Sequence, residues 1–208
     1  MIVWHQLIRT RGGAIVYRIA LYEPDFVTHV FSVCTPYWPP SKQYLSLEQI
    51  IAKIPFFGYQ AQLANGGLED IIQSKEEIRQ FLNAMYGGRT ADGKPAISME
   101  KGVLLEKLPG VQQTPLLSDE VSIPLHPPQK DELEFLNRSL DIPVLYILAT
   151  NDTALRPELS RNMERNIKHL TRAEVVASHW ALWESPEECN THIKSWIEGV
   201  VFGRKVKL

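Results

Sequence analysis

The spacing of apolar positions along the chain changes its rhythm several times, and each change predicts an element boundary. Gly12-Gly13 followed by Ala14-Ile15-Val16-Tyr17-Arg18-Ile19-Ala20-Leu21 predicts a tight glycine turn opening a mostly buried helix that closes at Pro24. The β-branched run Val27-Thr28-His29-Val30-Phe31-Ser32-Val33-Cys34 predicts a strand that stops at Thr35-Pro36. Trp38-Pro39-Pro40 then breaks the chain. From Leu45 to Leu136 the pattern is that of amphipathic helices joined by loops, with no strand signal. The best-defined helices cover 47–54, 60–64 and 75–86, the last with Ser74 as its N-cap. Alternation typical of an α/β protein resumes at Ile142, with a strand over 142–149 and a helix over 157–167 that has Pro157 in its first turn. A strand over 173–177 follows. A closing helix over 186–201 has Ile193, Trp196, Ile197 and Val200 on one face.

This order, α-β, helical insertion, β-α-β-α, predicts an α/β fold with a few-stranded, mostly parallel sheet. The 208 residues suffice for one core carrying an insertion, and 44% hydrophobic with 22% charged residues is ordinary for a globular chain. A formal charge of -2 gives no reason to expect nucleic acid or an anionic membrane as partner. Two cysteines, Cys34 and Cys189, make no disulfide framework, and no Cys/His spacing resembles a zinc site, so neither metal nor cofactor is expected. No apolar stretch is long enough to span a bilayer, and the first residues lack the basic start and long apolar region of a signal peptide. A soluble, cytoplasmic protein is the expectation. Gly12-Gly13 is not a phosphate loop, because no lysine follows and the spacing fits neither common glycine-rich pattern.

Candidate chemistry lies near the C-terminus. Asp152 follows the apolar run 142–149, and His179 follows the run 173–177. An acid and a histidine at the C-terminal ends of consecutive parallel strands are where open α/β sheets build active sites. Together they could supply the orienting and proton-accepting members of a hydrolytic triad. Taken singly, an aspartate after a strand more often caps a turn, and a histidine beside aromatic residues more often packs. Their joint position favours the hydrolytic pair. Tyr59, after Phe56-Phe57-Gly58, would on its own be a packing aromatic.

Over 12–120 and 141–201 the chain resembles epoxide hydrolases of the α/β-hydrolase superfamily. The resemblance is carried by Gly12-Gly13-Ala14-Ile15-Val16-Tyr17-Arg18, by Phe31 to Pro40, and by Phe57-Gly58-Tyr59-Gln60. It continues through Phe81 to Gly88, Pro115-Leu116-Leu117-Ser118, Asn151-Asp152 and His179-Trp180. The resemblance implies a partial α/β-hydrolase fold, core over 1–36 and 141–208, with a helical cap inserted over 37–140. In that family an aspartate attacks an epoxide carbon to form an ester, cap tyrosines hydrogen-bond the epoxide oxygen, and a histidine held by a second acid activates the water that hydrolyses the ester. Carried over, His179 matches the base, Asp152 its supporting acid, Tyr59 one cap tyrosine, and Trp180 the aromatic residue after the base.

The departures matter as much. The family's nucleophile stands in His-Asp-Trp-Gly-Gly, whereas Arg9-Thr10-Arg11 precedes Gly12-Gly13 here, placing Thr10 at the aspartate's position and Arg11 at the tryptophan's. The earlier strands and the His-Gly motif of the family have no counterpart. The second cap tyrosine, expected between Ser118-Asp119-Glu120 and Asp131-Glu132, is absent, as if a block had been removed near Leu125. These gaps lead to the expectation of a truncated isoform or a mispredicted gene product of an epoxide hydrolase, inactive towards small apolar epoxides. The alternative is a non-catalytic module that binds a ligand or partner. Thr10 and Cys34 are the two substitute nucleophiles the sequence offers, each the weaker reading against a structural role. Without a neighbour on one side, the strand over 27–34 would leave an apolar sheet edge open to self-association.

Overall fold

A three-stranded parallel sheet positions the C-terminal loops. The computed structural model describes residues 9–40, 45–68, 70–117 and 139–203. The expectations for the first residues and for the block near Leu125 lie outside the described residues, as does the sequence end of the helical insertion. Strand β1 (Val30–Val33) pairs with β4 (Leu140–Ala149), which pairs with β5 (Ile167–Val175), giving the order β1-β4-β5. Val30 lies opposite Val144, and Ala149 opposite Val175. Among the described residues β1 and β5 are therefore the outer strands.

The central strand explains why the sequence reads as a continuous apolar run. Val144, Leu145, Tyr146 and Ile147 are all essentially buried, as expected for a parallel strand covered on both faces. Successive side chains alternate between two cores. Val144 and Tyr146 pack with Tyr17, Ala20 and Leu21 of α1 (Arg9–Tyr22) and with Met163 and Ile167. Leu145, Ile147 and Ala149 pack with Ala181 of α5 (Ala181–Glu184) and with Cys189 and Trp196 of α6 (Pro186–Trp196). Helices on both faces of a parallel sheet make the layered α/β arrangement, and each fully buried aliphatic side chain contributes about 1.5–3 kcal/mol.

Several elements differ from the sequence pattern. Gly12 and Gly13 are not a turn: both lie within α1, which begins at Arg9. Gly13 is required there by proximity, since a Cβ at this position would lie 2.4 Å from Thr35 Cβ and 2.7 Å from Ser32 Oγ. The helix expected over 157–167 is instead two short 3₁₀ turns, Pro157–Ser160 and Met163–Arg165, separated by Asn162 with φ of 65°. The left-handed residue ends helical continuity, and β5 starts at Ile167 rather than 173 because its backbone pairs with β4 from Leu140 onward. Arg172 of β5 secures the turns by donating to the Ser160 carbonyl at 2.7 Å and pairing with Glu164 at 2.6 Å. Beyond Trp196 the last helix continues as a π turn, Ile197–Val201.

The chain divides into two compact units, residues 1–42 with 130–208 and residues 43–129. The second contains α2 (Leu47–Lys53), α3 (Tyr59–Ala64) and α4 (Lys75–Met85). Ser74 caps α4 in a reciprocal box: its hydroxyl accepts from Glu77 N at 3.2 Å, while Glu77 Oε2 accepts from Ser74 N at 2.8 Å. Such a cap stabilises a helix by about 1 kcal/mol. Leu68, Ala84, Ala96, Val103 and Leu108 form its core. The absence of strands expected here is corrected by a small antiparallel pair, β2 (Ile97–Ser98) with β3 (Gly102–Val103). Two residues per strand are too few to show an alternating pattern. No helix among the described residues is long and apolar enough to cross a membrane.

Candidate active site

Backbone pairing between β4 and β5 continues past both strands and draws the two C-terminal loops together. Thr150 N donates to Val175 O at 3.0 Å, and Asn151 N donates to Ala177 O at 3.0 Å. With Ala149 opposite Val175, the parallel register carries Asp152 and His179 to the same edge of the sheet. Oδ2 of Asp152 lies 2.8 Å from Nδ1 of His179. The Asp152 side chain is 1% exposed and that of His179 19% exposed, so the carboxylate is enclosed while the imidazole reaches the surface.

The other carboxylate oxygen has a separate partner set. Oδ1 accepts from Ala154 N and from Leu155 N, each at 2.8 Å. Those two amides were not singled out in the sequence, although an aspartate that bonds the backbone two and three residues on is a known turn device. Three hydrogen bonds hold the carboxylate in place. Because an ionised carboxylate can only accept, it fixes the neutral imidazole with its proton on Nδ1. The lone pair then sits on Nε2, the arrangement required of a general base. Trp180 packs edge-on against the His179 ring, with centroids 5.5 Å apart, and Trp183 packs against Trp180 in turn at 5.9 Å.

Cys34 follows β1 at the same C-terminal edge of the sheet, with φ of 65°. Its N–H donates to Ile147 O at 2.9 Å, extending the β1–β4 pairing by one residue. Burial, reinforced by the Asp152 charge, pushes its thiol up to about 12. A thiol in that environment stays protonated near neutral pH and is a poor nucleophile. The side chain of Thr10 lies outside what is described, although its backbone belongs to α1.

Tyr59 is the first residue of α3, in the unit formed by residues 43–129. The structure brings Asp152 and His179 together in one unit, and Tyr59 is held within the other. Its backbone N–H donates to Met99 O at 3.0 Å, and its hydroxyl accepts from Gln60 Nε2 at 3.4 Å. Gly58, just before it, allows the β2–β3 turn to approach, since a Cβ there would lie 2.0 Å from the Glu100 carbonyl oxygen. Among the described residues no group of three or more His, Cys, Asp or Glu side chains is arranged to hold a metal ion.

No family model matches the chain. Curated relatives do. It is 34% identical over 216 residues to the epoxide hydrolase srdG of Neurospora crassa, an alignment covering 90% of this chain and 63% of the relative. It is 28% identical over 212 residues to the bifunctional epoxide hydrolase 2 of Rattus norvegicus, covering 90% of this chain and 38% of that protein. The chain thus spans less than two thirds of the length of either relative. In three dimensions it is similar to epoxide hydrolase VrEH1 from Vigna radiata, with a TM-score of 0.63 at 14% identity over 90% of this chain and 67% of that one. It is also similar to epoxide hydrolase A from Mycobacterium thermoresistibile, with a TM-score of 0.61 at 17% identity over 89% of this chain and 66% of that one. The solved structures speak for the fold and the curated relatives for descent. Taken together, they make the chain similar in sequence to epoxide hydrolases over less than two thirds of their length, with part of the same α/β fold.

Proposed function

We propose that Asp152 and His179 are the water-activating half of an epoxide hydrolase site, inherited with the fold, for small apolar epoxides. The observation that carries this reading is the 2.8 Å contact between a buried carboxylate and the Nδ1 of a partly exposed imidazole. In this role His179 Nε2 takes a proton from water while that water attacks an ester carbonyl. Asp152 keeps the ring in the required tautomer and stabilises the imidazolium that forms. Tyr59 is the phenol that donates to the epoxide oxygen as negative charge develops on it. Residues 37–140 are the cap and residues 1–36 with 141–208 the core, divisions close to the two compact units.

We further propose that this polypeptide does not turn over epoxides. Thr10 occupies the position that the resemblance assigns to the attacking aspartate, so His179 has no ester to hydrolyse. What remains is a site able to bind a small apolar ligand or a partner without converting it. Strand β1, an outer strand among the described residues, is the surface through which the chain would self-associate, because a strand edge offers unpaired backbone groups. Hydrolysis of styrene oxide by the purified full chain tests the reading, and no diol above the buffer rate is the expected result. Diol formation that His179→Ala abolishes would refute the claim of inactivity. Diol formation that His179→Ala leaves intact would remove His179 from the site.

A further inference from the structure

The loop carrying His179 and Trp180 is closed by a carboxylate that the acid–imidazole pair does not involve. Glu184, the last residue of the single-turn helix α5, reaches back across the loop to Ser178, the residue before His179. Its Oε2 accepts from Ser178 N at 2.7 Å, and its Oε1 accepts from the Ser178 hydroxyl. Both oxygens are thereby engaged by one residue. Ser185 adds a second fastening, its hydroxyl donating to Val176 O at 3.1 Å. Inside the loop the turn is closed by Glu184 N donating to Trp180 O at 3.0 Å and by Ser185 N donating to Ala181 O at 2.8 Å.

We propose that Glu184 is a positioning residue for His179: by clamping Ser178, it holds the imidazole at bonding distance from Asp152. The inference deepens, and rests on, the reading of His179 as the water-activating base. Asp152 is fixed by the β4 turn through Ala154 N and Leu155 N, so it cannot follow the imidazole if the loop drifts. His179 is fixed from the opposite side, through the backbone between Ser178 and Glu184. A hydrogen bond weakens steeply once its angle falls below about 120°, so the Asp152–His179 contact depends on the orientation that the Ser178 clamp gives the loop. Glu184 touches neither substrate nor the reacting atoms, and its effect runs entirely through the orientation of the ring.

The test is the imidazole Nδ1–H proton resonance of His179 in the isotope-labelled full chain, which persists only while the proton is held against Asp152. It should be seen in the unsubstituted protein, lost in Glu184→Ala, and retained in weakened form in Glu184→Gln, whose amide oxygen still accepts from Ser178. Amide exchange of β4 should be the same in all three. A resonance in Glu184→Ala as sharp as in the unsubstituted protein overturns the positioning role. So does loss of β4 protection in that variant, which would make Glu184 a support of the whole fold. Absence of the resonance from the unsubstituted protein overturns instead the Asp152–His179 pairing on which the proposal rests.

Discussion

Replacing Asp152 in two ways separates its service to the turn from its service to His179. Asp152→Ala removes the acceptor for two buried backbone N–H groups, Ala154 and Leu155, and the partner of His179 Nδ1. Ala154 and Leu155 are 8% and 2% exposed, so water reaches the stranded amides poorly. Each unsatisfied buried donor costs roughly 1–3 kcal/mol, which puts the alanine variant about 3–5 kcal/mol below the original protein. Asp152→Asn keeps an amide oxygen for the two backbone donors. Its NH₂ group then faces His179 and drives the ring to the other tautomer, with the proton on Nε2. A neutral hydrogen bond replaces a charge-assisted one, at a cost of about 1 kcal/mol. Urea unfolding reads the difference: with a slope of about 1–3 kcal/mol/M, the two variants should differ in midpoint by roughly 1–2 M. Nitrogen chemical shifts of the His179 ring read the tautomer. Equal midpoints for the two variants, or an Nε2 that stays unprotonated in Asp152→Asn, would show that the carboxylate does not divide its oxygens in this way.

Two further predictions concern the core. Gly13→Ala should lower stability by about 2 kcal/mol or more, even though alanine is the better helix former by about 1 kcal/mol, because the new Cβ meets Thr35 Cβ at 2.4 Å; a raised unfolding midpoint would mean that α1 can shift freely. Burial raises the Tyr17 and Tyr146 hydroxyls and the Cys34 thiol, the last to about 12 from 9.0. Above the ordinary thiol value the unfolded chain loses a proton that the fold retains, so the unfolded state binds fewer protons and stability falls with rising pH. Cys34 alone accounts for about 2 kcal/mol lost by pH 10.5, and melting temperatures that stay flat from pH 8 to 10.5 would contradict this.

The core and the site differed in how much the sequence disclosed. The buried run 142–149 was legible because a strand covered on both faces needs apolar residues at every position, and its C-terminal end pointed to Asp152. Helix α4 was legible through Ser74 and its amphipathic spacing. The 3₁₀ turns before β5 were not, because Pro157 and the apolar spacing favour a helix locally, while pairing with β4 and the left-handed Asn162 decide otherwise. Gly12-Gly13 suggested a turn because a glycine's conformational freedom is visible in a sequence, whereas the proximity of Thr35 is not. At the candidate site, the meeting of Asp152 with His179 was legible from their strand ends. Glu184 was not, since its partner is six residues back around a loop whose closure only the folded chain reveals.

The identity of the attacking atom decides whether the site can turn over at all, whatever the quality of the Asp152–His179 pair. A carboxylate that opens an epoxide forms an ester, whose carbonyl offers water a point of attack, so the second step regenerates the acid. If the hydroxyl of Thr10 attacked instead, an oxygen–carbon bond would form as the epoxide carbon–oxygen bond broke. The hydroxyl proton would pass to a base such as His179, and the epoxide oxygen, still bonded to the neighbouring carbon, would take a proton from that imidazolium or from water to become an alcohol. The product is an alkyl ether. Attack by the Cys34 thiol would give a thioether by the same steps. Neither has a carbonyl, so water activated by His179 has nothing to attack and the chain is spent after one event. Intact mass after prolonged exposure to styrene oxide therefore separates the cases. An unmodified chain with no diol is expected. A single stable adduct mapped to Thr10 would show a competent hydroxyl without turnover, while repeated diol formation would require either a carboxylate nucleophile or direct attack of activated water on the epoxide, and would overturn the claim of inactivity.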